Sequence, residues 1–121
     1  MKDTVLAFYK LALEDMKPRE AFALYASADF VDHAQSVGGT AERTLGFLEA
    51  MIAQSPQSRW EIVRSAAEDD LVFLHVRYTP APGAPEIALA EIFRVEDNKL
   101  AEHWDVLGFP PETVINPNPR F

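Results

Sequence analysis

The chain has 121 residues, 48% of them apolar and 25% charged, a length that supports one hydrophobic core and not two. Nineteen acids against eleven Lys and Arg give a formal net charge of −8 with no basic stripe, which excludes a nucleic acid partner because its phosphates would be repelled. The absence of cysteine excludes disulfides, zinc–thiolate centres and thiol nucleophiles, and it fits a cytoplasmic protein.

The first segment, Asp3–Met16, carries apolar residues at Val5, Leu6, Phe8, Tyr9, Ala12, Leu13 and Met16. Spacings of three and four predict an amphipathic helix, and the stretch lacks the apolar run and small-residue cleavage site of a leader. Pro18 ends this helix, because the residue before a proline is pushed out of the α region, and it suits the first turn of a second helix over Arg19–Ala26. Asp29 is placed to cap a single helical turn at Phe30–His33. The loop Ser36–Thr40 leads to a third helix from Ala41 to Gln54, with Thr40 as N-cap and Glu42 in its first turn. No apolar run approaches the roughly 18–20 residues that a membrane span requires, so no membrane partner is expected.

After Pro56 the period changes from helical to alternating. Arg59–Ala67, Leu71–Thr79, Glu86–Val95 and Leu100–Leu107 read as four consecutive strands, separated by the turns Glu68–Asp70 and Glu96–Lys99 and by the longer connection Pro80–Pro85. The tail from Gly108 is rich in Pro and Asn and is expected to be extended without regular structure. Helices followed by a strand meander define an α+β fold, with the helices covering one face of an antiparallel sheet.

Chemistry concentrates in Ala88–Gly108, where a hairpin brings Glu91, His103 and Asp105 together. Alternation places His103 and Asp105 on one face of the last strand and Trp104 and Val106 on the other. In Leu71–Thr79 the odd positions are Leu71, Phe73, His75 and Arg77, and the even ones are Val72, Leu74, Val76 and Tyr78. Two orientations are open. The even apolar set can face the helices and leave the histidines in solvent. Alternatively, the odd positions of all the strands face inward, so that Glu91, Phe93, His103, Asp105, His75 and His33 meet in an apolar cavity. In that second arrangement desolvation raises the Asp105 pKa toward the range of a general acid or base. Three histidines and two carboxylates could also ligate Zn²⁺ or Fe²⁺, but neither HxxxH nor HxH spacing is present and no metal is expected. A nucleophile elbow, a phosphate-binding glycine loop and a dinucleotide fingerprint are all missing.

Phe30-Val31-Asp32-His33 after a helical hairpin, Asp70-Leu71-Val72-Phe73-Leu74-His75, the hairpin EIFRVEDNKLAEHWDVL and the tail PPETVINPNPRF together resemble the SnoaL-like proteins. These are relatives of polyketide cyclases in the nuclear-transport-factor-2-like superfamily. The resemblance runs from about residue 4 to the C-terminus as a single domain over 1–121, and the hairpin is its most specific part. It departs from the usual pattern in three places. Phe30–Gln35 stands where a YxQHNP-like motif is common, Glu91 where Asp is usual, and Arg77 where His is frequent.

The resemblance implies a cone-shaped, strongly curved antiparallel sheet of four or more strands wrapped around about three helices, with the odd face inward. It also implies a cofactor-independent acid–base enzyme of cyclase or isomerase type, acting on a small apolar carbonyl compound through an enolate. Asp105 and His103 are then the catalytic pair, and His33, His75, Glu91 and Phe93 are the substrate contacts. The other reading of the same fold is a non-catalytic small-molecule-binding or dimerisation module. A homodimer is expected in either case, because Trp104, Ile92 and Val106 would otherwise leave an apolar patch on the convex face.

Overall fold

In a computed structural model describing residues 1–121, the first amphipathic pattern forms α1 (Lys2–Tyr9), which continues as a π-helical turn over Lys10–Glu14. The helical chain ends shortly before the proline signal. Met16 takes a left-handed conformation (φ 56°), and the Lys17 N–H returns to the Leu11 carbonyl at 3.0 Å, satisfying the last turn. Pro18 then opens α2 (Pro18–Tyr25) from its first position. The third helix, α3 (Ala41–Gln54), begins as expected, with Thr40 Oγ1 accepting from the Arg43 N–H at 3.2 Å.

Five strands form one sheet: β1 (Ala26–Asp32), β2 (Arg59–Glu68), β3 (Leu71–Thr79), β4 (Ile87–Glu96) and β5 (Lys99–Gly108). Their spatial order is β1-β5-β4-β3-β2, so the last four make the expected antiparallel meander and β1 joins β5 in parallel at the edge. Asp97 and Asn98, both at positive φ, close the β4–β5 hairpin in two residues, a turn whose twist matches that of the strands. Register shifts between Ile62 and Arg64 and between Arg94 and Val95 bend the sheet around the helices. The result is the cone of an α+β fold, open along its edges. The tail beyond Gly108 carries no helix or strand, and its last two residues return to the sheet. There Arg120 donates to the Gly108 carbonyl at 2.8 Å and Phe121 stacks on His75.

Two expectations need correction. Phe30–His33 is not a helical turn but the end of β1 and its exit, because its backbone groups bond outside the segment. The His33 N–H donates to the His103 carbonyl at 2.8 Å and the Asp32 N–H to that of Gly39 at 3.0 Å. The second concerns which positions share a face. Leu74 stands opposite Glu91 and Val76 opposite Leu89, so even positions of β3 lie on the same face as odd positions of β4. Between β4 and β5 the parity is kept, with Glu91 opposite Asp105 and Phe93 opposite His103.

The inner face therefore combines both sets proposed from sequence. Val72, Leu74 and Val76 from β3, Leu89 and Phe93 from β4, and Leu100 from β5 pack against Val5, Phe8, Tyr9, Leu13 and Phe22 from the helices. His75 and Phe73 turn outward, where Phe73 faces Ile92 and Ile92 faces Trp104.

Leu100 is fully buried, whereas Val106 on the outer face of the same strand is 63% exposed. Leu100→Ala should lower the free energy of unfolding by about 3 kcal/mol through lost transfer energy and a residual cavity. Val106→Ala, read on the protomer at a concentration too low for self-association, should change it by less than about 0.5 kcal/mol. Urea denaturation of the two variants measures both, and equal costs would contradict this assignment of faces.

Candidate functional site

Between the helices and the inner face of the sheet lies a cavity of about 260 Å³. Most of its wall is apolar, with Phe8, Phe22, Phe30, Leu48, Met51 and Leu89 among the lining groups. Aromatic rings run along one side in edge-to-face contacts, Phe93 to Phe8 at 5.9 Å, Phe8 to Phe22 at 5.2 Å and Phe22 to Phe30 at 5.5 Å. Into this surface project four ionisable groups from three adjacent strands: Asp32, Glu91, His103 and Asp105.

His103 is the centre of that group. Its Nδ1–H donates to Asp32 Oδ1 at 2.8 Å, its Nε2–H points to Glu91 Oε1 at 3.4 Å, and its ring leans on Phe93 with centroids 4.8 Å apart. Burial by itself disfavours the imidazolium, but the hydrogen bonds and negative charges of Asp32 and Glu91 outweigh it and lift the His103 pKa from 6.5 to about 10. Asp32 is burdened by desolvation too. Even so, its carboxyl is held below the ordinary value by His103, the Ala34 N–H at 2.9 Å and the Thr44 hydroxyl at 2.7 Å. Asp32 is thus a fully satisfied anion and His103 a fixed cation.

Asp105 behaves in the opposite way. Burial raises its pKa, and the Glu91 charge directly across the β4–β5 ladder raises it further, while His103 pulls it down. Its carboxyl has no hydrogen bond within the protein that would fix its charge, so it is free to exchange a proton with something in the cavity. The Tyr9 hydroxyl, on α1 just before the π-helical turn, is buried beside the Glu91 carboxylate, which it approaches without a well-formed hydrogen bond. Burial pushes its pKa well above the usual value and the charge of Glu91 adds to this, so it is a neutral donor beside the acids.

Glu91, His103 and Asp105 also present one ligand atom each within 4.8 Å of one another, a spacing that a divalent ion could span. A protonated His103 offers no lone pair, so such an ion would first have to displace the Nε2 proton directed at Glu91.

Of the residues singled out from sequence, Glu91, Phe93, His103 and Asp105 line this cavity, and His33 and His75 do not. His33 lies outside, its ring stacked on Trp104 at 4.8 Å and its Nε2–H donating to Glu102 at 2.7 Å. His75, on the outer face of β3, is hydrogen-bonded by Arg64 and covered by Phe121. The residue that sequence reasoning missed is Asp32. Its signal is the alternation Phe30, Asp32, inward positions of a strand whose sequence also suits a helical turn.

The sequence profile of the SnoaL-like domain matches residues 5–103, and the chain belongs to that family. Solved structures agree on the fold. AclR from Streptomyces galilaeus superposes with a TM-score of 0.74 at 21% identity, over 88% of this chain and 87% of that one. IdmH from Streptomyces antibioticus, provisionally a polyketide cyclase, gives 0.71 at 21% identity over 87% and 89%. A provisionally assigned SnoaL-like polyketide cyclase from Jannaschia sp. CCS1 gives 0.72 at 17% identity over 87% and 83%. At these identities the likeness concerns the fold alone. No functionally curated protein matches the sequence.

The raised His103 pKa makes stability depend on pH. The native protein keeps a proton that an unfolded imidazole would release near 6.5, so the contribution is whole below that pH and is lost as pH rises toward about 10. The melting temperature should fall over this window, and His103→Gln should flatten the decline. Asp32→Asn should cost about 3 kcal/mol in urea denaturation, because it leaves a buried cation short of its main partner. A cost below about 1 kcal/mol would show that the pair is not holding the site.

Proposed function

We propose that this SnoaL-like protein is a cofactor-independent acid–base enzyme of cyclase or isomerase type, working on a compact apolar carbonyl compound. The observation that carries the reading is Asp105, a carboxyl with a burial-raised pKa in an apolar cavity, beside a histidine held as a cation. Asp105 in its ionised form takes the proton from the carbon next to the carbonyl, and the C–H electron pair moves into the enolate. A hydrogen bond from His103, whose contact with Glu91 is long at 3.4 Å, stabilises the charge that develops on oxygen. The proton then returns from Asp105 to the same or another carbon, or the enolate carbon attacks a second carbonyl in the same molecule, closing a ring, and the alkoxide so formed takes the proton from Asp105. A carboxylate base with oxygen-stabilising donors is the arrangement of ketosteroid isomerase, a standard example of this chemistry. Glu91 raises the Asp105 pKa, and Phe93 supports the His103 ring and walls the substrate.

The cavity, at about 260 Å³, is near the small end of ligand pockets, which span about 300–1,000 Å³, and this favours a substrate of one or two rings. The lack of cysteine supports a place in the cytoplasm. A homodimer through the outer face of the sheet accords with Phe73, 39% exposed, and Val106, 63% exposed, flanking Ile92 and Trp104.

Two experiments test these statements. Deuterium uptake at the α carbon of α-tetralone in D₂O should be catalysed by the protein, rise with pH as Asp105 ionises, and fall by about 10²–10⁴-fold in Asp105→Asn. An Asp105→Asn protein as fast as the original would remove Asp105 from the mechanism. Sedimentation should show a dimer at micromolar concentration that Phe73→Glu converts to monomer; a monomeric starting protein would refute the pairing.

A further inference from the structure

The charges along the cavity do not balance. Its wall carries three carboxyl groups, Asp32, Glu91 and Asp105, against one imidazole, His103, and no Lys or Arg side chain. Asp32 and His103 neutralise each other through their contact at 2.8 Å, and Ala34 and Thr44 supply the remaining bonds to Asp32. The second N–H of His103 reaches Glu91 only at 3.4 Å. The salt bridges of the cavity thus join His103 to Asp32 and to Glu91, and none reaches Asp105, which faces Glu91 across the ladder. The cavity is one cation short. Buried charges in proteins are normally paired, and here burial and Glu91 make up the shortfall by favouring a proton on Asp105.

The geometry suits an organic cation in that place. Glu91 and Asp105 present oxygens within 4.8 Å of each other. One ammonium has three N–H donors and forms charge-assisted bonds of about 2.8 Å, so it can donate to both oxygens at once. A metal ion needs lone pairs, and His103 offers none while it is protonated. The neighbouring wall offers ring faces instead, Phe93 beside His103 and Tyr9 beside Glu91, and such faces attract organic cations. An anionic ligand meets the reverse situation. It adds to the unmatched negative charge, and the one loosely held N–H it could use, on His103, lies against Glu91.

We propose that the cavity is selective for a cationic ligand, a compact ring compound bearing a protonated amine whose ammonium is held between Asp105 and Glu91, and that it rejects the carboxylate of the same skeleton. This rests on the reading of the cavity as a small-molecule site and adds a charge to its substrate class. It is tested by equilibrium binding, without turnover.

Three probes on one skeleton serve, followed by isothermal titration calorimetry at neutral pH: 2-aminoindane, which is protonated, 2-indanol, which is uncharged, and indane-2-carboxylate. Aminoindane should bind about tenfold or more tighter than indanol, as expected for hydrogen bonds to charged groups, and the carboxylate about tenfold or more weaker. Asp105→Asn should bring amine and alcohol within about threefold of each other, while indanol keeps its affinity and so reports a folded cavity. Glu91→Gln, which neutralises the other acid, should reduce the amine preference in the same direction. Amine that binds no tighter than alcohol overturns the proposal, as does a carboxylate that binds as well as the amine. An amine preference that survives both substitutions also overturns it, because it would then come from the acidic surface of a chain with net charge −8. Failed proton exchange in α-tetralone with the amine preference intact overturns the acid–base reading and supports the cation site. Exchange that proceeds without any amine preference does the opposite.

Discussion

An imidazolium inside an apolar cavity is unfavourable on its own, and at His103 it is made possible by Asp32 on one ring nitrogen and Glu91 on the other. The bond to Asp32 also has an architectural consequence. Strand β1 meets β5 at few positions, and its pairing is irregular between Ala26 and Val31. Asp32 closes that edge by reaching His103 on β5, the Thr44 hydroxyl on α3 and the Ala34 N–H in the following loop. One carboxylate thus ties an edge strand, a helix and the central hairpin. Removing its partner would leave a buried anion satisfied only by neutral donors.

The same bond divides the electrostatics of the cavity into fixed and variable parts. Asp32 and His103 are locked as anion and cation by mutual contact. The neighbouring Asp105 lacks such a lock and is pushed toward its neutral form by burial and by Glu91 opposite it. Two aspartates in one cavity with pKa values moved in opposite directions are what acid–base chemistry requires, one to hold the field and one to change state. Tyr9 adds a donor whose own ionisation is suppressed. The apolar remainder of the wall gives these charges their strength by excluding water.

The strands, the two-residue hairpin at Asp97-Asn98 and the N-cap at Thr40 are legible in the sequence because each depends on local rules of alternation, turn geometry or capping. Glu91, His103 and Asp105 share a face only because the bulge between Arg94 and Val95 restores the parity that the two-residue turn, with Glu96 opposite Lys99, reverses. The Pro80–Pro85 connection between β3 and β4 is longer, and its register cannot be counted from the residues it contains. Parity alone therefore puts His75 on the wrong face, and its outer position follows from Leu74 standing opposite Glu91. Strand β1 is hidden because it pairs with β5, about seventy residues away along the chain in the sense of its His33 and His103 backbone contact. With β1 hidden, Asp32 cannot be seen as the inward neighbour of His103, and attention falls on His33, which packs outside on Trp104.

The claim on which the account rests is that His103 is a cation at neutral pH, held by Asp32, and it can be read directly. A ¹⁵N NMR titration of the three imidazoles follows the protonation of each ring nitrogen with pH. The account predicts that both nitrogens of His103 stay protonated through neutrality and release a proton only near pH 10. Titration of His103 at the ordinary imidazole value of 6.5 would contradict it.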